Sequence, residues 1–174
     1  PTFWPAFTQS PEWQDGATNP MDRWSTRVLD AWATDLDAQA LYPFGGAPFQ
    51  PFYSWALRTG RIHRSPVQFL VHDHAGLFVS FRGALALRNH IDLPVAPSNP
   101  CEACARQPCR TACLSDALTP AGYDVPLCKS FLDTPGGADN LTNGCNVRRA
   151  CPVSQKFGRQ AEQSAYHMGQ FKGA

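Results

Sequence analysis

All seven cysteines of this chain fall between Cys101 and Cys151, and the residues before Cys101 contain none. The first four read Cys101-x2-Cys104-x4-Cys109-x3-Cys113, and the last, Cys151, is followed by Pro152. Soft thiolates at such short spacings let one loop wrap several corners of an iron–sulfur cluster, and a distant Cys-Pro closes the last corner. This arrangement constrains the fold more than any other feature, because a segment built around a cluster takes its shape from its ligands.

The compartment decides how such thiols are read. The start, Pro1-Thr2-Phe3-Trp4, lacks the basic and apolar regions of a secretory signal, so a reducing, cytoplasmic setting is expected. There, clustered thiols hold metal or do redox chemistry more often than they pair as disulfides, and an odd count weakens a disulfide framework further. With 174 residues and 43% hydrophobic content, the chain can bury a core without covalent staples. A net charge of +1 with no block of like charge shows no nucleic-acid footprint, and no apolar run approaches the ~18 residues of a membrane span.

The predicted organisation is α+β: an α/β region over 1–92, a proline-rich linker over 93–100, and a ferredoxin-like iron–sulfur module with a C-terminal helix over 101–174. Residues 1–18, rich in Pro, Trp and Phe, read as an extended arm. Asn19 as N-cap, Pro20 at the first helical position and Asp22 in the first turn start a helix reaching about Asp37. Its Trp24, Val28, Leu29, Trp32 and Leu36 read as core. A strand is expected over 40–44, a helix over 51–59, and a β-hairpin of 67–72 with 77–82 around Asp73-His74-Ala75-Gly76. Phe157, Ala161, Ala165, Met168 and Phe171 mark the C-terminal helix.

In the two-cluster ferredoxin arrangement the fourth cysteine of a run ligates the other cluster. Cys101, Cys104, Cys109 and Cys151 are then the ligands of one [4Fe-4S] cluster. Cys113, Cys128 and Cys145 remain for a second, one thiolate short. A cubane with a non-cysteine ligand, a [3Fe-4S] cluster and an empty site all stay open, with Asp139, Asn140 and Asp116 as candidates that spacing does not rank. Gly144 allows close backbone approach to Cys145. Arg148 and Arg149 would either offset cluster charge or lie on a solvated helix face. Structural zinc is the poorer match, since only Cys101 and Cys104 form a C-x-x-C knuckle and it has no partner.

The stretch Cys101-Glu-Ala-Cys104, Pro108-Cys109-Arg-Thr-Ala-Cys113, Tyr123-Asp-Val-Pro-Leu-Cys128, Gly144-Cys145 and Arg149-Ala-Cys151-Pro152 resembles the iron–sulfur module of epoxyqueuosine reductase-type proteins. It is closer still to small ferredoxin-type proteins related to them. The segment from Leu70 to Leu85 resembles the one that precedes that module. Three departures stand out. Leu114 follows Cys113 where such modules show proline. Asn140 stands where the small relatives carry a further cysteine. The residues ahead of Cys101 are too few for the reductases' cobalamin domain, so neither cobalamin nor queuosine chemistry is carried over.

These readings together predict an electron carrier passing single electrons between redox partner proteins. The alternative is a reductase whose N-terminal half binds a small substrate or cofactor beside the cluster. His72, Asp73 and His74 read as polar turn residues, with metal ligation or acid–base work as the rival. The aromatics at 42, 44, 49, 52, 53 and 55 read as core, with a flat-ligand pocket as the rival. Gly45-Gly46 lacks the Gly-Lys-Ser/Thr ending of a phosphate loop.

Overall fold

The computed structural model describes residues 2–119 and 122–173. They form helices and three two-stranded antiparallel sheets, an α+β arrangement. The chain divides into two compact units that do not follow chain order: residues 2–56 with 80–95, and residues 57–79 with 96–173. The segment 57–79, grouped by sequence with the N-terminal region, therefore shares contacts with the cysteines. One crossing between units, at Val95 and Ala96, falls in the proline-rich stretch expected as the linker.

The first unit begins with helices α1 (Phe3–Thr8) and α2 (Pro11–Gln14), where an extended arm was expected. Aromatic spacing explains the difference. Phe3 and Phe7 lie four apart on one helical face, and Phe7 sits edge-on to Trp13 at 5.1 Å and to Trp24 at 5.8 Å. Helix α3 (Pro20–Asp35) starts where its cap residues predict, although Asn19 is left-handed and makes no side-chain cap bond. Its core face is Met21, Ser25 and Ala33, while Trp32 and Leu36 are over half exposed and form no core. Arg27 clamps the carboxylate of Glu12 through both Nε and Nη2, the latter at 3.0 Å. Strand β1 (Ala38–Leu41) follows, then α4 (Phe52–Arg58). The aromatics of 42–55 are half-buried or exposed, with Phe49 at 74%, so the expected core there does not form.

The second unit contains β2 (Ile62–Arg64) and β3 (Leu70–His72), paired as Ile62 with His72 and Arg64 with Leu70. The hairpin predicted between 67–72 and 77–82 is thus replaced by one with the upstream segment. Only a single bridge, His72 to Gly76, closes the expected turn. Beyond it Leu77 is 1% exposed and its N–H donates to Ser154 Oγ at 2.8 Å, so burial diverts the chain from the sheet. Downstream, β4 (Ala84–Leu87) pairs with β1 within the first unit.

The cysteine segment continues with a 3-10 turn (Pro108–Arg110), β5 (Leu118–Thr119) and β6 (Gly122–Tyr123). Helices α5 (Val125–Leu132), α6 (Ala138–Asn143), α7 (Asn146–Ala150), α8 (Pro152–Phe157) and α9 (Ala161–Lys172) follow. The expected C-terminal helix is divided by Gly158, left-handed at φ +68°. The core of this unit is Val67, Val71, Leu77 and Val147 with Cys109 and Cys151, flanked by Cys101, Cys113 and Cys145. Its centre is built around thiols.

Candidate metal centre

The loop from Cys101 to Arg110 is a chain of tight turns. The Cys101 N–H donates to Asn99 Oδ1, Cys104 N–H to the Cys101 carbonyl, and Gln107 N–H to the Cys104 carbonyl. Gln107 is left-handed at φ +39°, which turns the chain into the 3-10 segment carrying Cys109. Cys151 arrives from far along the chain, as the extended residue (φ −67°, ψ +123°) that ends α7 and begins α8, with Pro152 at the first helical position. Cys101, Cys104, Cys109 and Cys151 all line one cleft of about 680 Å³, with Ser65, Val71 and Leu77 among its other walls.

The electrostatics of this cleft disfavour free thiolates. Burial pushes the Cys101 thiol up to about 11, and the neighbouring Cys109, Cys151 and Cys104 add to it; Cys109 is raised for the same reasons. Four thiolates gathered here need a cation among them to carry their charge. Ser65 also bears on what this cleft could hold. It is 7% exposed, walls the cleft, and its Oγ has no hydrogen-bond partner among the described residues. A buried hydroxyl of this kind suits sulfur acceptors at a cluster.

Cys113, Cys128 and Cys145 line a separate and far smaller cavity of about 20 Å³, together with Tyr123 and Asn140. Burial pushes the Cys113 thiol up. Donation from Ser115 Oγ, 3.5 Å away, and from the backbone N–H groups of Leu118, Ser115 and Ala117 outweighs that push and leaves its pKa below the ordinary thiol value. Burial raises Cys128, as do Cys145 and Cys113, while the Tyr123 hydroxyl donates to it and acts in the opposite sense.

Cys101, Cys104, Cys109 and Cys151 thus line one cavity, and Cys113, Cys128 and Cys145 the other. Of the three candidates for the missing ligand, only Asn140 lines the second cavity, 7% exposed on α6. Asp139 instead pairs outward with Arg149 and Asn143. Asp116 is an exposed turn residue at φ +53°. The adjacent arginines also part company. Arg149 braces the Gly144 carbonyl, Asn146 and Asp139. Arg148 donates to the Leu77 carbonyl, lies 4.5 Å over the Phe69 ring, and makes no ion pair among the described residues. Burial holds its pKa below the usual value, with Cys145 and Tyr123 acting in the opposite sense. Neither of its sequence readings, solvated helix face included, identified the Leu77 and Phe69 contacts.

His72 and its neighbours serve the turn. His72 Nδ1 accepts from the N–H groups of His74 and Ala75 at 2.9 and 3.1 Å, and burial lowers its pKa while Asp73, 2.9 Å away, acts in the opposite sense. Asp73 pairs with Arg61 at 2.6 Å, and His74 stands edge-on to Phe157. Sequence reading missed Ser65 and Ser115, and quoted Tyr123 within a motif without giving it a role; Ser115, two residues beyond Cys113, carried a local signal.

Among the described residues no three of His, Cys, Asp or Glu converge closely enough to hold one metal ion, and no helix is long and apolar enough to cross a membrane. Comparison with protein-family models, with curated proteins and with solved structures returned no match.

Proposed function

We propose that this protein is a one-electron carrier of small ferredoxin type, with a [4Fe-4S] cluster on Cys101, Cys104, Cys109 and Cys151 and a second, thiolate-poor site on Cys113, Cys128 and Cys145. The observation that carries this reading is the division of the cysteines between two cavities, four and three, with the distant Cys151 brought beside Cys101. Thiols that line a shared cavity without meeting at a point suit a multi-iron centre, in which each takes a different iron. A tetrahedral zinc would draw all four to about 2.3 Å from one ion.

When bound, such a cluster accepts and releases one electron at a time. The chain's own residues supply ligands, hydrogen-bond donors and a partly desolvated setting, which together set the potential. The first cleft is flanked by residues 102–106, exposed except at Cys104, so a donor or acceptor protein has a short approach to it. The cleft's volume also keeps a second reading alive, a reductase binding a small substrate there. From the N-terminal half, that cleft takes only Ser65, Pro66, Val71 and Leu77.

Anaerobic iron and sulfide analysis with visible spectroscopy tests the proposal. A brown protein whose blue-region band bleaches with dithionite is expected, and Cys104→Ala should abolish the first centre and much of the stability, because ligation and folding are linked. A colourless, iron-free protein, or a fully loaded Cys104→Ala variant, refutes it. Oxidation of the reduced protein by an added small substrate would favour the reductase.

A further inference from the structure

We infer that the cavity lined by Arg149, Ser154, Arg159 and Ser164 binds the phosphate group of a small phosphorylated ligand. The site uses none of the seven cysteines, so it stands or falls apart from the cluster reading.

The cavity measures about 330 Å³, within the roughly 300–1,000 Å³ of small-ligand pockets. It is walled by the end of α7, by α8 and by the start of α9, with Phe78 beside them. Its charged walls are of one sign, because both arginines line it and no Asp or Glu does. Arg149 is already matched by Asp139. Arg159 has no carboxylate partner among the described residues. Burial and the like charge of Arg148 hold its pKa down at about 10, which still leaves it a cation at neutral pH.

The Arg159 guanidinium is held in place but not used up. It lies 5.0 Å over the Phe78 ring, and Nη1 donates to the Phe78 carbonyl at 3.3 Å. Nε is buried with no partner, and Nη2 makes no bond among the described residues, so the cation keeps donors to spare. Two buried hydroxyls join it. Ser164 is 4% exposed, and its Oγ makes no hydrogen bond among the described residues. Ser154 is 1% exposed, and its Oγ accepts from the Leu77 N–H, which leaves its own hydrogen to donate. Ala161 and Ser164 also bring in the first turn of the 12-residue helix α9, whose N-cap Gln160 makes no side-chain bond to it. The N–H groups of that turn add donors and a positive dipole end.

A guanidinium, hydroxyls and a helix start suit an anion whose oxygens point several ways. A phosphate monoester presents three strong acceptor oxygens, whereas a carboxylate presents two in one plane. The volume leaves room for the body of a small molecule beyond its phosphate.

Isothermal titration of the full chain with inorganic phosphate, phenyl phosphate and acetate, at fixed ionic strength, tests this. Saturable binding of both phosphates at one site per chain is expected, with acetate weaker by about tenfold or more. Arg159→Gln should weaken phosphate by about tenfold or more, the loss of a hydrogen bond to a charged group. Arg88→Gln, in the other unit and paired with Asp37, should leave the affinity unchanged. Ala161→Asp keeps the fold, because an acidic residue is favoured in the first turn of a helix, and its charge at the cavity should abolish binding. Absence of saturable phosphate binding, equal affinity for acetate, or equal weakening by Arg88→Gln would overturn the inference. So would an unchanged affinity in either cavity variant.

Discussion

Gly76 is the point where the turn after β3 is pressed against the start of α8, and so against Cys151. It is left-handed at φ +58°, and a Cβ built on it would lie 2.5 Å from Ser154 N, 2.6 Å from Ser154 Oγ and 3.0 Å from Ser154 Cα. Two of these atoms are backbone and cannot swing aside. Gly158, at the other end of α8, has a similar φ of +68° but nothing within 4 Å. The pair separates conformational strain from close approach. Gly158→Ala carries only the left-handed penalty, about 1–2 kcal/mol. Gly76→Ala carries the same strain and in addition displaces Ser154, whose Oγ is the acceptor for the buried Leu77 N–H. Stranding that N–H costs about 1–3 kcal/mol more. Urea unfolding of both variants should therefore show Gly76→Ala losing the extra 1–3 kcal/mol relative to Gly158→Ala, at similar slope. Because Ser154 lies three residues past Cys151, the Gly76 variant should also load less iron. Equal losses for the two variants would refute the argument that contact with Ser154 fixes this glycine.

Two other expectations are more local. Arg27 holds the Glu12 carboxyl down at about 2 from an ordinary 4.5, so the pair's contribution is complete above pH 4.5 and fades as pH falls toward 2. Thermal melts across that window should show Glu12→Gln with a shallower acid limb than the unaltered protein, and identical acid limbs would remove Glu12 from the account. Tyr123→Phe deletes the hydroxyl that donates to Cys128, so in metal-depleted protein the Cys128 thiol should titrate at higher pH, followed by thiolate absorbance; an unchanged titration would count against the hydrogen bond.

How far the sequence reaches can be followed residue by residue. The start of α3 was legible because Pro20 and Asp22 act within one turn, although Asn19 makes no side-chain cap bond. The grouping of Cys113 apart from Cys101, Cys104 and Cys109 came from the two-cluster ferredoxin arrangement and not from spacing, since x3 alone would keep it in the same loop. The helix over Phe52–Arg58 was legible from a proline before it and a glycine after. The hairpin was misread because alternation in 67–72 and 77–82 states that each can be a strand, not which neighbour it pairs with.

What the sequence alone determined is the number and spacing of the cysteines, together with the local helix signals. These follow from chain connectivity and short-range sterics. What only the tertiary structure decided is the surroundings of those thiols: Asn140 at the second cavity with Asp139 turned away, Arg148 drawn onto Phe69 while Arg149 braces Gly144, Ser65 at the first cleft, and β2 as the partner of β3. The placements of Arg148 and Ser65 depend on segments remote in sequence meeting in one core. Burial rewards whichever residue is brought there by packing, and spacing along the chain carries no record of that.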